Sequence, residues 1–195
     1  MPPQVSAIVL AAGSSRRMGR SKQLLPLGHS PVIRHCLDTI VASGLRDIVV
    51  VLGADHDGTA AAISGMPVRT VVNADPQSDM AGSVRLGLRQ VDRASTSVLI
   101  CLADHPLVSS ETIMGLVNAH RSSPDSILIP LYQGRRGHPT LFPRKAIEDI
   151  FSVETLRDVI ASRSGSVRTV DVDDEGVVLD LDTTEDYERI KQRFT

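Results

Sequence analysis

A chain of 195 residues with 42% apolar and 23% charged residues can bury a full core, so it needs no disulfide or structural metal to fold. A formal net charge of −2, no basic block, and 3% aromatics without tryptophan exclude a dedicated nucleic-acid binder, which would show a basic stripe or stacking platforms. No apolar stretch approaches the length of a bilayer-spanning helix, and small charged metabolites are left as the expected partners.

The pattern alternates strand and helix from the start. The apolar run Val5–Leu10 predicts a strand buried on both faces. Pro31 opens a helix whose stripe is Val32, Ile33, Leu37, Ile40 and Val41, and Gly44 stops it. Asp47–Leu52 predicts a second strand, Thr59–Ser64 a short helix, Arg69–Val72 a third strand, Ser83–Val91 a helix and Ser97–Leu102 a fourth strand. Ser109 or Ser110 caps a helix through about His120, and Ser126–Leu131 predicts a fifth strand. After Pro130 the rhythm changes: Gly134, Gly137 and Pro139 punctuate a hairpin or insertion. A helix near Val153–Ala161 and a strand from Val167 follow, then a turn at 173–176 into an apolar Val177–Leu179 segment. Thr183 or Thr184 caps a last helix. The expectation is one Rossmann-like α/β domain over 1–195, with a mostly parallel central sheet flanked by helices and a small hairpin-type insertion in its C-terminal third.

Cys36 and Cys101 fit no metal or redox spacing, and each sits among apolar residues, so buried free thiols in a reducing cytoplasm are expected. The N-terminus carries no positive charge ahead of its short apolar run and is not expected to be a signal peptide.

The strongest signal is the loop after the first strand, Leu10-Ala11-Ala12-Gly13-Ser14-Ser15-Arg16-Arg17-Met18-Gly19-Arg20-Ser21-Lys22. Small residues let backbone N–H groups converge on an anion, hydroxyls add donors, and Arg16, Arg17, Arg20 and Lys22 supply cations. A loop at the C-terminal end of a parallel strand is where α/β sheets bind ligands, and polyphosphate suits this one. The glycine spacing is neither that of a P-loop nor G-x-G-x-x-G.

This stretch resembles the L-A-(A/G)-G-x-S-x-R-M-G-x-x-K signature of the MobA-like nucleotidyltransferases, nearest the molybdenum cofactor cytidylyltransferase branch. The likeness continues at intervals to the C-terminus. It implies a nucleotide-binding part over about 1–110 and an acceptor-binding part over about 111–195. It further implies that Arg17 and Lys22 hold the triphosphate, while Leu10, Ala11, Ala12, Gly13 and Ser15 meet the rest of the nucleotide.

Leu102-Ala103-Asp104-His105-Pro106 places a carboxylate at a strand tip, where it either helps hold Mg²⁺ or caps the next turn. A similar L-A-D-x-P segment in the family implies metal binding at Asp104. Asp180-Leu181-Asp182 is expected on a strand with both carboxylates on one face, as metal ligands or as solvated acids before a helix cap. The family's D-x-(D/N)-T-P-E-D segment matches Asp182 as the second ligand; Thr184 stands where proline is common.

The segment Asp79–Leu88 resembles G-M-x-x-S-(L/V)-x-x-G-(L/I), implying that Ser83 meets the nucleotide, although Asp79 replaces the usual glycine. An ordinary N-cap by Asp79 or Ser83 is the competing reading. Gly134-Arg135-Arg136-Gly137-His138-Pro139 resembles G-x-x-G-H-P, implying acceptor contacts at Arg136, Gly137 and His138. Asp55-His56-Asp57 reads better as a turn with caps than as a metal triplet, and no nucleophile elbow or Cys/His pair is present.

The resemblance implies a Mg²⁺-dependent transfer of CMP from CTP to molybdopterin or molybdenum-loaded molybdopterin, catalysed by Arg17, Lys22, Asp104 and Asp182, with a molybdenum hydroxylase or its chaperone receiving the product. Ala12 and Ser21 depart from the guanylyl signature and favour CTP. The alternatives are a guanylyl- or sugar-1-phosphate nucleotidyltransferase and, from another class, an oxidoreductase or non-catalytic cofactor-binding protein on the same fold.

Overall fold

The computed structural model describes residues 4–13, 21–75 and 77–194, and everything in it is arranged around one inaccessible strand. In chain order, β1 is Val5–Ala11, and β2 (Pro26–Leu27) and β3 (Ser30–Pro31) form a small hairpin leading into α1 (Val32–Ala42). Then come β4 (Asp47–Leu52), α2 (Asp57–Ala62), β5 (Arg69–Val72), α3 (Met80–Leu88), β6 (Ser97–Leu102) and α4 (Ser110–Ser122). The remainder comprises β7 (Ile127–Tyr132), β8 (Arg135–Arg136), β9 (Thr140–Pro143), α5 (Arg144–Ile147), α6 (Leu156–Ser162), β10 (Val167–Asp171) and α7 (Thr184–Lys191).

The main sheet has the order β10-β7-β9-β6-β1-β4-β5, with β8 hydrogen-bonded to β7. β1 pairs in parallel with β4 and β6, β4 with β5, and β7 with β10. Both faces of β1 are covered. Ala7, Val9 and Ala11 pack with Ile33, Leu37, Ile40, Ile113 and Leu116 from α1 and α4, whereas Ile8 packs with Val84 and Leu88 from α3. Two-sided burial explains why the strand reads as a continuous apolar run rather than an alternating one. The expected α/β class and mostly parallel sheet are what the fold shows.

The expected hairpin is β7–β8, turning through Gln133 and Gly134 with φ of 47° and 79°, the left-handed pair that a tight two-residue hairpin needs. Sequence reading missed β9, which is inserted antiparallel between β6 and β7 rather than standing apart from the sheet. Its four residues follow Pro139 and end on Pro143, too short and too proline-bound to show a period.

The second correction is at the C-terminal end. Glu175–Val178 is a 3-10 turn, and the chain does not pass from it into a strand. Leu179–Asp182 run without a ladder, so the expected strand placement of Asp180 and Asp182 is wrong. Single backbone bonds hold the segment instead, from His138 N–H to the Val177 carbonyl (2.8 Å) and from Leu181 N–H to the Asp104 carbonyl (2.9 Å).

His120, in the last turn of α4, is 1% exposed, and its Nδ1 has no hydrogen-bond partner among the described residues. Burial holds its pKa below the ordinary histidine value, against the opposing pull of Asp125. The unfolded chain therefore takes up this proton first as pH falls, and stability present above about pH 6.5 is lost below it. His120→Leu should melt with a smaller loss between pH 7.5 and pH 5 than wild type. Parallel melting curves for the two proteins would contradict this reading of His120.

Candidate functional site

The C-terminal ends of β1 and β6 are level, with Leu10 opposite Leu102, and the Ala103 N–H continues the pairing by bonding to the Leu10 carbonyl at 3.2 Å. Asp104 follows immediately, beside the start of the loop that leaves β1. That loop returns at Ser21 into a 3-10 turn over Lys22–Leu24, and the Lys22 ammonium lies 2.5 Å from Asp104 Oδ2 and 2.8 Å from Asp182 Oδ1. Three segments that are remote in sequence thus meet at one charge cluster. The Lys22 and Asp104 side chains are 13% and 17% exposed, and Asp182 lies nearer solvent at 40%. Burial works against the Lys22 charge, but the two carboxylates outweigh it and hold its pKa above the ordinary lysine value.

Asp182 owes its place to its neighbours. Leu181 is fully buried with Leu25, Leu27, Val32, Tyr187 and Ile190, and its N–H is bonded to the backbone of Asp104. Thr183 then caps α7, with Asp186 completing a capping box. Asp180 is exposed and makes no ion pair among the described residues, so only the second of the two carboxylates reaches the cluster.

Next to the cluster is a cavity of about 250 Å³ lined by Leu10, Ala12, Gly13, Lys22, Ser83 and Asp104, among others. Ala11 belongs to the core and does not line it. Ser15 and Arg17, together with Arg16 and Arg20, lie outside the described residues. Asp79 is the N-cap of α3, its carboxylate accepting from the Gly82 N–H at 2.7 Å, while Ser83 is 4% exposed inside the first turns. Sequence reading did not single out Asn73, whose amide bonds the Ser78 and Ser83 hydroxyls beside the cavity. Its only signal was an Asn at the exit of a strand, too common a pattern to be informative.

His105 and His138 meet edge-on with ring centroids 5.5 Å apart. His105 Nδ1 is 3.3 Å from the Gly176 carbonyl. Burial first, and then the neighbouring His105, push the His138 pKa down to about 4, with Asp104 opposing them, so its ring is neutral near pH 7. Gly137 packs against the backbone of Val177, and Arg136 is exposed on β8 at the rim. The segments around Asp104 and His138 are therefore adjacent, whereas Arg136 stands on the outer hairpin.

Among the described residues no group of three or more His, Cys, Asp or Glu side chains forms a metal site. The donor chemistry at Asp104 and Asp182 nevertheless suits a hard divalent cation. Two carboxylates already converge on a single positive charge, and phosphate oxygens and waters usually complete such a shell. Cys36 and Cys101 are buried free thiols whose pKa values burial pushes up, which leaves them poor nucleophiles.

Comparisons with known proteins cover nearly the whole chain. The MobA-like NTP transferase domain matches residues 7–167. The nicotine blue oxidoreductase of Paenarthrobacter nicotinovorans is 30% identical over 200 residues, covering 96% of this chain and 97% of that protein. The crystal structure of Rv0371c from Mycobacterium tuberculosis H37Rv superposes with a TM-score of 0.88 at 29% identity, covering 98% of this chain and 99% of that one. A manganese complex of Rv0371c superposes with a TM-score of 0.84 at 28% identity, covering 98% of this chain and 100% of the other.

Gly176 tests how the cluster is held. A Cβ there would collide with the backbone of Leu107 and Val108, which cannot swing aside as a side chain does. Gly176→Ala should cost about 1–3 kcal/mol of stability through overpacking. It should also weaken the Lys22–Asp182 contact, because the displaced turn ends four residues before Asp182 on the same irregular segment. An unchanged melting temperature would show that this packing does not restrain the segment.

Proposed function

This chain belongs to the MobA-like NTP transferase family and is a nucleotidyltransferase, and on that footing we propose that it transfers CMP from CTP to the phosphate monoester of a molybdopterin-type acceptor. The observation carrying this reading is the Lys22 ammonium set between Asp104 and Asp182, with Lys22 and Asp104 lining a cavity beside the end of β1. The acceptor phosphate oxygen attacks the α-phosphorus in line, a new P–O–P bridge forms, and the bond to the leaving pyrophosphate breaks. No protein nucleophile is required, so the chain's work is positioning and charge neutralisation.

In this reading Lys22, with Arg17, neutralises the phosphates, while Ala12, Gly13 and Ser83 line the space for base and ribose. Asp104 and Asp182 would hold a divalent cation, Mg²⁺, which would supply Lewis-acid stabilisation of the phosphate charge. The nucleotide would occupy the part of the domain formed by about 1–110, and the acceptor the part formed by about 111–195. The acceptor would approach along the Arg136-Gly137-His138 segment, where a neutral His138 can exchange hydrogen bonds but adds no charge. Ala12 and Ser21 support CTP over GTP, the buried thiols suit a reducing cytoplasm, and a molybdenum hydroxylase or its chaperone would receive the product.

One observation favours a second reading. The 30% identity over nearly the whole chain with nicotine blue oxidoreductase supports an oxidoreductase on the same scaffold. The Lys22, Asp104 and Asp182 cluster favours nucleotidyl transfer instead, since hydride transfer has no need of two carboxylates around a lysine. NADPH oxidation without pyrophosphate release from any nucleotide would reverse that preference.

Calorimetry with Mg²⁺ and each nucleoside triphosphate should show CTP binding more tightly than GTP; equal or tighter GTP binding removes the cytidylyl assignment. Lys22→Ala should lower turnover by roughly two orders of magnitude or more, because a cation on transferring phosphates acts mainly in the transition state. Asp104→Ala should be at least as damaging as Asp182→Ala, and both should raise the Mg²⁺ requirement. Asp180→Ala should stay close to wild type. An inactive Asp180→Ala beside an active Asp182→Ala would move the second carboxylate to Asp180 and overturn its assignment to Asp182.

A further inference from the structure

Asn73 stands at the exit of β5, tied to the neighbouring strand by its N–H to the Leu52 carbonyl at 2.8 Å. Its side-chain oxygen accepts from the Asp75 N–H at 3.4 Å, which orients the amide. The amide nitrogen therefore points at two hydroxyls, donating to Ser78 Oγ at 2.8 Å and to Ser83 Oγ at 3.0 Å. An amide N–H₂ only donates, so both hydroxyls must accept from it and each keeps its own proton for another partner. Ser78 has the Asp79 carbonyl within reach at 3.5 Å. For Ser83, which is 4% exposed, no described residue accepts that proton, and the side chain lines the 250 Å³ cavity. A buried donor without an acceptor is costly unless a ligand supplies one.

We infer that Asn73 is a positioning residue that fixes the Ser83 hydroxyl as a hydrogen-bond donor to a ring nitrogen or carbonyl oxygen of the nucleobase. The inference rests on the nucleotidyl-transfer reading and extends it to the base. Asp79 and Met80 open the same helix as Ser83 and line the cavity together with Leu10. The Asp79 carboxylate repels anions, and Met80 and Leu10 offer apolar surface to a ring, so the surroundings of Ser83 suit a base better than a phosphate.

The test compares wild type, Asn73→Asp, Asn73→Ala, Ser83→Ala and the Asn73→Asp/Ser83→Ala double variant, using Mg²⁺ with CTP and, separately, inorganic tripolyphosphate. A carboxylate at 73 accepts the Ser83 proton and withdraws it from the cavity. Asn73→Asp should weaken CTP binding by about tenfold, the size of one neutral hydrogen bond left unmade, and Asn73→Ala by less, since the freed hydroxyls can still rotate. Tripolyphosphate, which has no base, should bind all five proteins alike. In the Ser83→Ala background the Asp substitution should add less than about twofold. KM for CTP should rise while kcat holds, because the base is gripped equally in ground and transition states. Equal losses for CTP and tripolyphosphate, or equal losses with and without Ser83, would reduce the effect to added charge and overturn the inference. Wild type binding tripolyphosphate but no nucleotide would remove the nucleotide reading itself. Asn73→Ala keeps the test valid if Asn73→Asp does not fold.

Discussion

A strand hydrogen-bonded along both edges and covered on both faces can reach solvent only at its ends. β1 is in that position, between β4 and β6 and beneath α1 and α4 on one side and α3 on the other. Because all three strands run parallel, their carboxyl ends open on the same side, and the residues just beyond them are the first that can be both ordered and accessible. Ala12, Gly13 and Asp104 occupy those positions. The cavity is where it is because the sheet leaves no other place for side chains from two strands to meet beside a loop.

That constraint supplies two sides of the charge cluster but not the third. Asp182 arrives from the far end of the chain, and an ion pair with 40% of one partner exposed would contribute too little to bring it there. A separate hydrophobic cluster does so. Leu181, Tyr187 and Ile190 are buried with Leu25, Leu27 and Val32, and the Tyr187 hydroxyl donates to the Pro26 carbonyl at 2.7 Å. The same small core therefore carries the segment after Lys22 and the segment containing Asp182. Apolar burial sets the positions, and the electrostatics act between groups already placed.

The parts of this arrangement that local sequence patterns reveal are those governed by local rules. β1, β4 and β6 announce themselves as apolar runs, α1 by its stripe and stop, and Thr183 by its cap. Lys22, Asp104 and Ser83 could be singled out because they follow strands or open helices within recurring motifs. What escaped was set by long-range packing. β9 is a strand because a gap between β6 and β7 accepts it, not because Thr140–Pro143 alternates. Leu179–Asp182 looks like a strand in isolation, yet the segment finds no ladder partner and crosses the ends of other elements. The expected alternation of Asp180 and Asp182 therefore failed, although Asp182 still reaches Lys22. Asn73 was invisible for the same reason, since its two serines become its neighbours only after α3 docks on the sheet.

Charge balance links these positions to the proposed chemistry. Among the described residues two carboxylates face one ammonium, an excess of one negative charge, in a place where none of the three side chains is more than 40% exposed. A nucleoside triphosphate brings several more negative charges to the same spot, and the repulsion grows where water is thinned. Two of the three N–H donors of Lys22 already go to carboxylates, so its charge is shared before any phosphate arrives. The site then needs further positive charge for the triphosphate to enter at all. The sequence places Arg16, Arg17 and Arg20 within the loop that ends at Lys22, and carboxylates are the donors a divalent cation prefers. On the proposed reading, Asp104 and Asp182 would hold that divalent cation while Lys22 and the loop arginines meet the phosphates.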